Sequence, residues 1–345
     1  MRASGNHRLS TLNLDSRLRG NDEVRAMTHK ILIPEFMDAA AVDALRAKFE
    51  VNYQPDYVHK RPQLLAAVAN VPALIVRNLT QVNREVLDAA PKLKVVGRLG
   101  VGLDNIDMAL CQERGITVYP ASGANALSVA EYVIGASMML LRGAFQSTRP
   151  TAAGDWQKVK LSTGFETHGK TLGIVGFGEI GRITARLARG LGMQVIAWDP
   201  YVKPDDPVWQ SSGVASVSLD ALCAEAHVVT LHVPLVESTR NFFDAARIAA
   251  MRKRAILINT ARGGVIDEEA LAQALIDGHL GGAAIDVFAR EPLPAATPLA
   301  RAVDAGVANL VLTPHIAGLT QEANTRVSGM ITARVSEFLE NLPHG

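Results

Sequence analysis

Three residues stand where anion binding and acid–base chemistry could be done together: Arg262, Glu291 and His315. Arg262 follows the apolar run Ala255-Ile256-Leu257-Ile258-Asn259 and the pair Thr260-Ala261, and precedes Gly263 and Gly264. A guanidinium is a planar fork that grips a carboxylate through two charge-assisted hydrogen bonds, and flanking glycines let backbone approach closely. His315 ends the run Val311-Leu312-Thr313-Pro314, and Glu291 follows the strand-like Ala283-Ala284-Ile285-Asp286-Val287-Phe288. An imidazole can give a proton to a carbonyl oxygen or take one from a hydroxyl, work typically worth about 10² to 10⁴ in rate. A carboxylate beside it fixes the tautomer and favours the charged ring. The other histidines read differently. His227 and His232 flank Val228-Val229-Thr230-Leu231 as structural or cofactor-wall residues, and His168 and His279 fall in loops.

What would accept or deliver the electrons is indicated by Gly176-Phe177-Gly178-Glu179-Ile180-Gly181. A glycine fingerprint carries weight only between a strand and a helix. Here Thr171-Leu172-Gly173-Ile174-Val175 runs into it, and Ile183, Ala185, Leu187, Ala188 and Leu191 recur at helical spacing behind it until Gly192. Gly176 permits the tight turn, Gly178 lets backbone N–H groups approach a pyrophosphate, and Gly181 lets helix and strand pack closely. The next strand, Gln194-Val195-Ile196-Ala197-Trp198, ends in Asp199, eighteen residues beyond Gly181. A carboxylate there accepts hydrogen bonds from ribose hydroxyls and repels a 2′-phosphate, so the expected cofactor is NAD, not NADP. Glu179, Ile180, His232, Pro234, Thr260 and Ala261 are expected to complete its wall.

The fingerprint lies halfway along the chain, so a second α/β unit must precede it. Ile31 to Ile33, Ala73 to Val76, Leu93 to Gly97 and Ile116 to Tyr119 read as its strands, with a helix near 39 to 48 that turns Val42 and Leu45 inward. Ala126 to Leu141 reads as one long apolar helix capped by Asn125 and ending near Gly143. A last helix, about Gln321 to Leu342, has no strand after it and packs most economically on the first sheet. The expected fold is α/β with two doubly wound parallel-sheet domains, a Rossmann NAD-binding domain inserted into a flavodoxin-like substrate domain. The boundaries follow: residues 1–26 a disordered extension, 27–125 and 317–345 the substrate domain, 126–147 a linking helix, and 148–316 the NAD-binding domain. The cleft between them would hold a small ligand.

Composition agrees with a soluble globular chain of about two domains: 345 residues, 48% hydrophobic, with 35 basic against 34 acidic residues. A net charge of +1 gives no reason to expect nucleic acid or an anionic membrane as a partner. Cys111 and Cys223 are too few for a disulfide scaffold or a thiolate metal site, so no metal is expected. No apolar run is long enough to span a bilayer. The first 26 residues scatter Arg2, Arg8, Arg17, Arg19 and Arg25 among small polar residues, without the continuous apolar stretch of a secretory signal, and the working protein is expected to begin near Met27 in the cytoplasm.

Taken together the chain resembles the D-2-hydroxyacid dehydrogenase family from about residue 30 to 340. The resemblance rests on Asn259-Thr260-Ala261-Arg262-Gly263-Gly264-Val265-Ile266-Asp267, on Asp286-Val287-Phe288 with Glu291-Pro292, and on Thr313-Pro314-His315-Ile316-Ala317-Gly318. It implies that Arg262 binds the substrate carboxylate, that His315 is the acid–base with Glu291 as partner, and that Asp286 meets the nicotinamide carboxamide. Val96 to Asp107, with Val76-Arg77-Asn78 and Val129-Ala130-Glu131-Tyr132, resembles the phosphoglycerate dehydrogenase branch, and Pro34-Glu35-Phe36-Met37-Asp38 looks somewhat like sulfolactate dehydrogenases. Through that likeness the loop Leu99, Gly100, Val101 and Gly102 is set against the substrate carboxylate, and Arg77 and Arg98 near an anionic tail. The implied substrates are 2-hydroxy and 2-oxo acids: phosphoglycerate, sulfolactate, or glycerate with hydroxypyruvate. The implied assembly is a homodimer. Glu179 departs from the family, which often carries arginine there. A cofactor-sensing corepressor with the same fold is the alternative of another class.

Overall fold

The branched apolar runs of each half collapse into strands buried on both faces, and the two halves build two separate sheets. The computed structural model describes residues 29–342; the extension expected over residues 1–26 and the start near Met27 lie outside that range. The first sheet comprises β1 (Lys30–Ile33), β2 (Glu50–Tyr53), β3 (Ala73–Val76), β4 (Val95–Arg98) and β5 (Thr117–Pro120), in the order β2-β1-β3-β4-β5. The second comprises β6 (Thr171–Val175), β7 (Gln194–Trp198), β8 (Ala215–Ser216), β9 (Val228–Leu231), β10 (Ile256–Asn259), β11 (Gly282–Ile285) and β12 (Leu310–Leu312), in the order β12-β11-β10-β9-β6-β7-β8. Every pairing between these strands is parallel. Strand order reverses between β1 and β3 in one sheet and between β6 and β9 in the other. Such reversals open a crevice beyond the carboxyl ends of the strands, where doubly wound folds bind ligands.

Three helices fix how the chain passes between the sheets. Helix α1 (Ala126–Arg142) leaves β5 and lays Val133, Ala136, Leu140 and Leu141 against Leu172, Ile174 and Phe177 of the second sheet. Helix α2 (Glu179–Gly190) springs from the glycine turn after β6. Helix α3 (Gln321–Glu340) returns the chain, and its Val327, Ile331, Val335 and Leu339 share a core with Ile31, Ile33, Ile75 and Val95 of the first sheet. Each fully buried aliphatic side chain of this stripe stabilises by about 1.5–3 kcal/mol, so the carboxyl-terminal helix is an integral layer over β4 and β5.

The elements differ from the sequence reading in four places. Strand β2 was not anticipated, because Glu50-Val51-Asn52-Tyr53 is an edge strand with its charged and amide residues exposed and no apolar run. The two exposed residues of β8 carry no pattern at all. Strands β11 and β12 stop at Ile285 and Leu312, so Asp286 to Phe288 and Thr313 to His315 leave the ladder and form loops at the sheet edge. Asn125 does not cap α1. Its side chain makes no capping hydrogen bond and packs instead against Gly318 in the second crossing segment, so tertiary contact overrides its local preference. The helix ends as expected on Gly143, in the left-handed region at φ 65°. Among the described residues no single helix is long and apolar enough to cross a membrane, and no group of three His, Cys, Asp or Glu side chains is placed to hold a metal ion.

Candidate active site

The carboxyl edges of both sheets converge on one cleft of about 280 Å³. From the first sheet, β3 and β4 end in Arg77 and Arg98, and the loop after β4 contributes Leu99, Gly100, Val101 and Gly102. From the second, Ile180, His232, Pro234, Thr260 and Ala261 form the wall, with Arg262, Asp286 and His315 between the two groups. Glu291 stands behind His315; Gly176, Gly178, Glu179 and Gly181 lie along the turn into α2, and Asp199 follows β7 against that turn, all outside the lining of the cleft.

His315 Nδ1 lies 2.8 Å from Glu291 Oε2, and Glu291 Oε1 accepts the Phe288 N–H at 3.0 Å. The carboxylate accepts, so Nδ1 carries the hydrogen and Nε2 is the atom left for chemistry. His315 has φ 56°, a left-handed conformation that is uncommon for a residue with a side chain. Asp286 holds it there. Its backbone oxygen accepts the His315 N–H at 2.8 Å, and its carboxylate accepts from the Thr313 hydroxyl (2.5 Å), Ile316 N (2.9 Å) and Ala317 N (2.8 Å). Asp286 is 1% exposed, so these bonds also satisfy a charge that burial would otherwise penalise. Tyr132 extends the chain of bonds by donating to Thr313 Oγ1 at 2.6 Å.

Arg262 is pinned on both flanks: Nε donates to Asp104 Oδ2 at 3.1 Å and Nη1 to the Ala261 carbonyl at 2.6 Å. Its fork reaches so near the first-sheet loop that a Cβ on Gly102 would lie 2.0 Å from Nη2. The glycine is what allows that approach. Arg98 sits in the same field. Burial first, then the neighbouring Arg262, push its guanidinium down to about 10, still protonated at neutral pH. Burial also lowers Arg77, partly offset by the Glu35 carboxylate. Three guanidiniums converging on one cleft, each incompletely paired, make an anion-binding surface.

The fingerprint has the geometry of a phosphate turn. Gly176 has φ 96°, and a Cβ there would lie 2.5 Å from the His232 carbonyl oxygen. At Gly178 a Cβ would meet nothing within 4 Å, so the space above the helix start is open. Asp199 is locked beside it, Oδ2 accepting from Phe177 N at 2.7 Å and Oδ1 from Tyr201 N at 2.8 Å. Glu179 opens α2 and leans toward Gly123 of the first half. His232 Nδ1 and Thr260 Oγ1 are buried without a hydrogen-bond partner. Orphaned polar atoms in a cleft wall fit a polar cofactor that would satisfy them.

Residues 134–317 match the D-isomer specific 2-hydroxyacid dehydrogenase NAD-binding domain. The chain belongs to the D-isomer specific 2-hydroxyacid dehydrogenase family. This dehydrogenase is thus an NAD-dependent oxidoreductase. It is 50% identical over 309 residues to the (S)-sulfolactate dehydrogenase of Chromohalobacter salexigens, covering 90% of this chain and 98% of that protein. It is 38% identical to the D-3-phosphoglycerate dehydrogenase of Methanocaldococcus jannaschii, across 90% of this chain and 57% of that protein. The structure of D-lactate dehydrogenase from Aquifex aeolicus complexed with NAD and lactic acid aligns at TM-score 0.78 and 26% identity, covering 90% and 95% of the two chains.

The residues that sequence reasoning missed in the dehydrogenase are partners of the ones it found. Asp104 pairs with Arg262, Asn324 accepts from Arg77, Glu35 carries the loop after β3, and Tyr132 buttresses Thr313. Glu35, Asp104 and Tyr132 each left a signal, as members of the blocks Pro34 to Asp38, Val96 to Asp107 and Val129 to Tyr132 that carry the resemblance, with no role attached; Asn324 left none.

Proposed function

We propose that this dehydrogenase oxidises, reversibly, a 2-hydroxy acid carrying a short anionic tail, with sulfolactate the foremost candidate. The carrying observation is the set of groups in one cleft: Arg262 and Arg98 against the Gly100 to Gly102 loop, Arg77 in the field of Arg98, and His315 backed by Glu291. One guanidinium suffices for the carboxylate of a 2-hydroxy acid, so the two further guanidiniums fit a second anion on the same substrate. The S label of sulfolactate agrees with a D-specific family: sulfur outranks oxygen in the naming priorities, so (S)-sulfolactate has the arrangement of D-lactate at C2.

In this reading Arg262 holds the substrate carboxylate as a fork, aided by the backbone of Leu99 to Gly102. His315 Nε2 takes the hydroxyl proton in oxidation and returns it to the carbonyl oxygen in reduction. Glu291 keeps the Nδ1 hydrogen in place and stabilises the charged ring. Gly176, Gly178, Glu179, Ile180 and Gly181 would bind the pyrophosphate, Asp199 the ribose, and His232, Pro234, Thr260 and Ala261 the remaining wall. Asp286 would accept from the carboxamide with the acceptor position its turn bonds leave over. When bound, NAD supplies the hydride acceptor. Arg77 and Arg98 select the tail.

We further divide the chain into a substrate domain (27–125 and 317–345), a linking helix (126–147) and an NAD domain (148–316), working as a cytoplasmic homodimer. The exposed Phe145, at the end of the linking helix, and Trp156, Val159 and Phe165, at the start of the NAD domain, support an apolar interface, and two buried free thiols suit a reducing compartment. Light scattering checks the assembly and cell fractionation the compartment. The substrate is tested by kcat/KM over 3-sulfopyruvate, 3-phosphohydroxypyruvate, hydroxypyruvate and glyoxylate with NADH. A tailed acid should lead by about tenfold or more, and a lead for hydroxypyruvate or glyoxylate would contradict the reading.

A further inference from the structure

The tail end of the cleft holds more than its two arginines. Arg77 Nη2 donates to Asn324 Oδ1 at 2.6 Å, across 247 positions of chain. Asn324 lies in the first turns of α3 and lines the same cleft. A guanidinium can only donate, so the amide must present its oxygen to Arg77 and its nitrogen elsewhere. Among the described residues that nitrogen has no acceptor, which leaves two N–H donors at the cleft.

Arg77 is also held from its backbone. The carboxylate of Glu35, 3% exposed, accepts the N–H groups of Arg77 (2.8 Å), Leu79 (3.0 Å) and Thr80 (3.0 Å). Beside it, Arg98 spends Nη1 on the Leu99 carbonyl at 3.1 Å, while its buried Nε has no partner. Two guanidiniums with unspent donors, and one neutral amide oriented by one of them, form a three-sided set of donors.

We propose that Asn324 is a specificity-determining residue for the substrate tail, its Oδ1 locking Arg77 and its Nδ2 donating to an oxygen of a sulfonate or phosphate. This rests on the anionic-tail reading above. An oxyanion gains from every donor because hydrogen bonds to a charged acceptor are about twice as strong as neutral ones. The uncharged hydroxymethyl of hydroxypyruvate gains far less. The amide therefore adds selectivity without adding a further buried charge.

The test compares kcat/KM for 3-sulfopyruvate and hydroxypyruvate in the full-length wild type, Asn324→Asp and Asn324→Ala, each saturated with NADH. Aspartate keeps the shape, removes the donor, ion-pairs with Arg77 and sets a negative charge beside the tail. Its kcat/KM for 3-sulfopyruvate should fall about 10- to 100-fold, mostly through KM, while that for hydroxypyruvate falls less than about threefold. Alanine, which removes both the acceptor and the donor, should lose selectivity in the same direction by a smaller factor, and it keeps the assignment testable if aspartate disturbs the helix. An equal loss on both substrates, the mark of a merely structural residue, overturns the assignment. So does unchanged selectivity. If the wild type prefers neither 3-sulfopyruvate nor 3-phosphohydroxypyruvate to hydroxypyruvate, the anionic-tail reading fails and this assignment falls with it.

Discussion

Replacing Gly102 by alanine probes whether Arg262 is held where a substrate carboxylate needs it. An added Cβ would stand 2.0 Å from Arg262 Nη2, 3.0 Å from Cζ and 2.6 Å from Asp104 Oδ2. Real Cβ contacts essentially never fall below 3.0 Å, so the guanidinium must retreat by about 1 Å (3.0 − 2.0). The atoms in the way are the far ends of two side chains, and Gly102 is absent from the glycines of positive φ, so the backbone accepts alanine and the protein should fold. A misplacement of 1 Å at a positioning group can cost about 10²-fold, or about 3 kcal/mol of barrier. With the 2-oxo acid varied at saturating NADH, kcat/KM should drop about 100-fold while NADH affinity, read by fluorescence, stays within about twofold. In an Arg262→Ala background the same change should cost almost nothing more, because the two act as one unit. If Gly102→Ala keeps kcat/KM within about threefold of wild type, the loop does not position Arg262 and the carboxylate assignment loses its footing.

Asp199→Ala should raise the ratio of NADPH to NADH kcat/KM by about tenfold or more, since it removes the charge that would repel a 2′-phosphate; an unchanged ratio assigns the acid to its backbone bonds alone. His232 is predicted to make the fold acid-sensitive. Burial lowers its ring from 6.5 to about 4, so the folded state keeps it neutral while the unfolded chain takes up a proton below 6.5. Its stabilising contribution is complete above pH 6.5 and disappears as pH falls toward 4, with about 2 kcal/mol lost by pH 5. Urea unfolding of wild type and His232→Asn should show their stability gap narrowing by about that amount between pH 7.5 and pH 5. A gap that does not change with pH would mean the ring titrates normally.

What was legible in the sequence was what is local. The fingerprint, its strand and its helix read correctly because a phosphate turn is a continuous stretch, and so did Gly143, whose left-handed φ ends α1. Strand β2 escaped because an edge strand needs no apolar run, and Asn125 misled because its amide packs on Gly318, far along the chain. Asp286 read as lying within a strand from Ala283 to Phe288, whereas the strand stops at Ile285 and the hydrogen bonds of Asp286 build the turn that carries His315. The supporting bonds are non-local: Asp104 lies 158 positions from Arg262, Tyr132 181 from Thr313, and Asn324 247 from Arg77. No local periodicity encodes such pairs; Asp104 meets Arg262 only once the two sheets face each other, and the other two pairs form only once α1 lies on the second sheet and α3 on the first.

The central claim is that His315, oriented by Glu291, moves the proton at C2 of the acid. Single-turnover and steady-state reduction of 3-sulfopyruvate by NADH in His315→Ala tests it most directly. The account predicts a fall in kcat of about 10² to 10⁴ with NADH binding intact. A variant that turns over near the wild-type rate would contradict it.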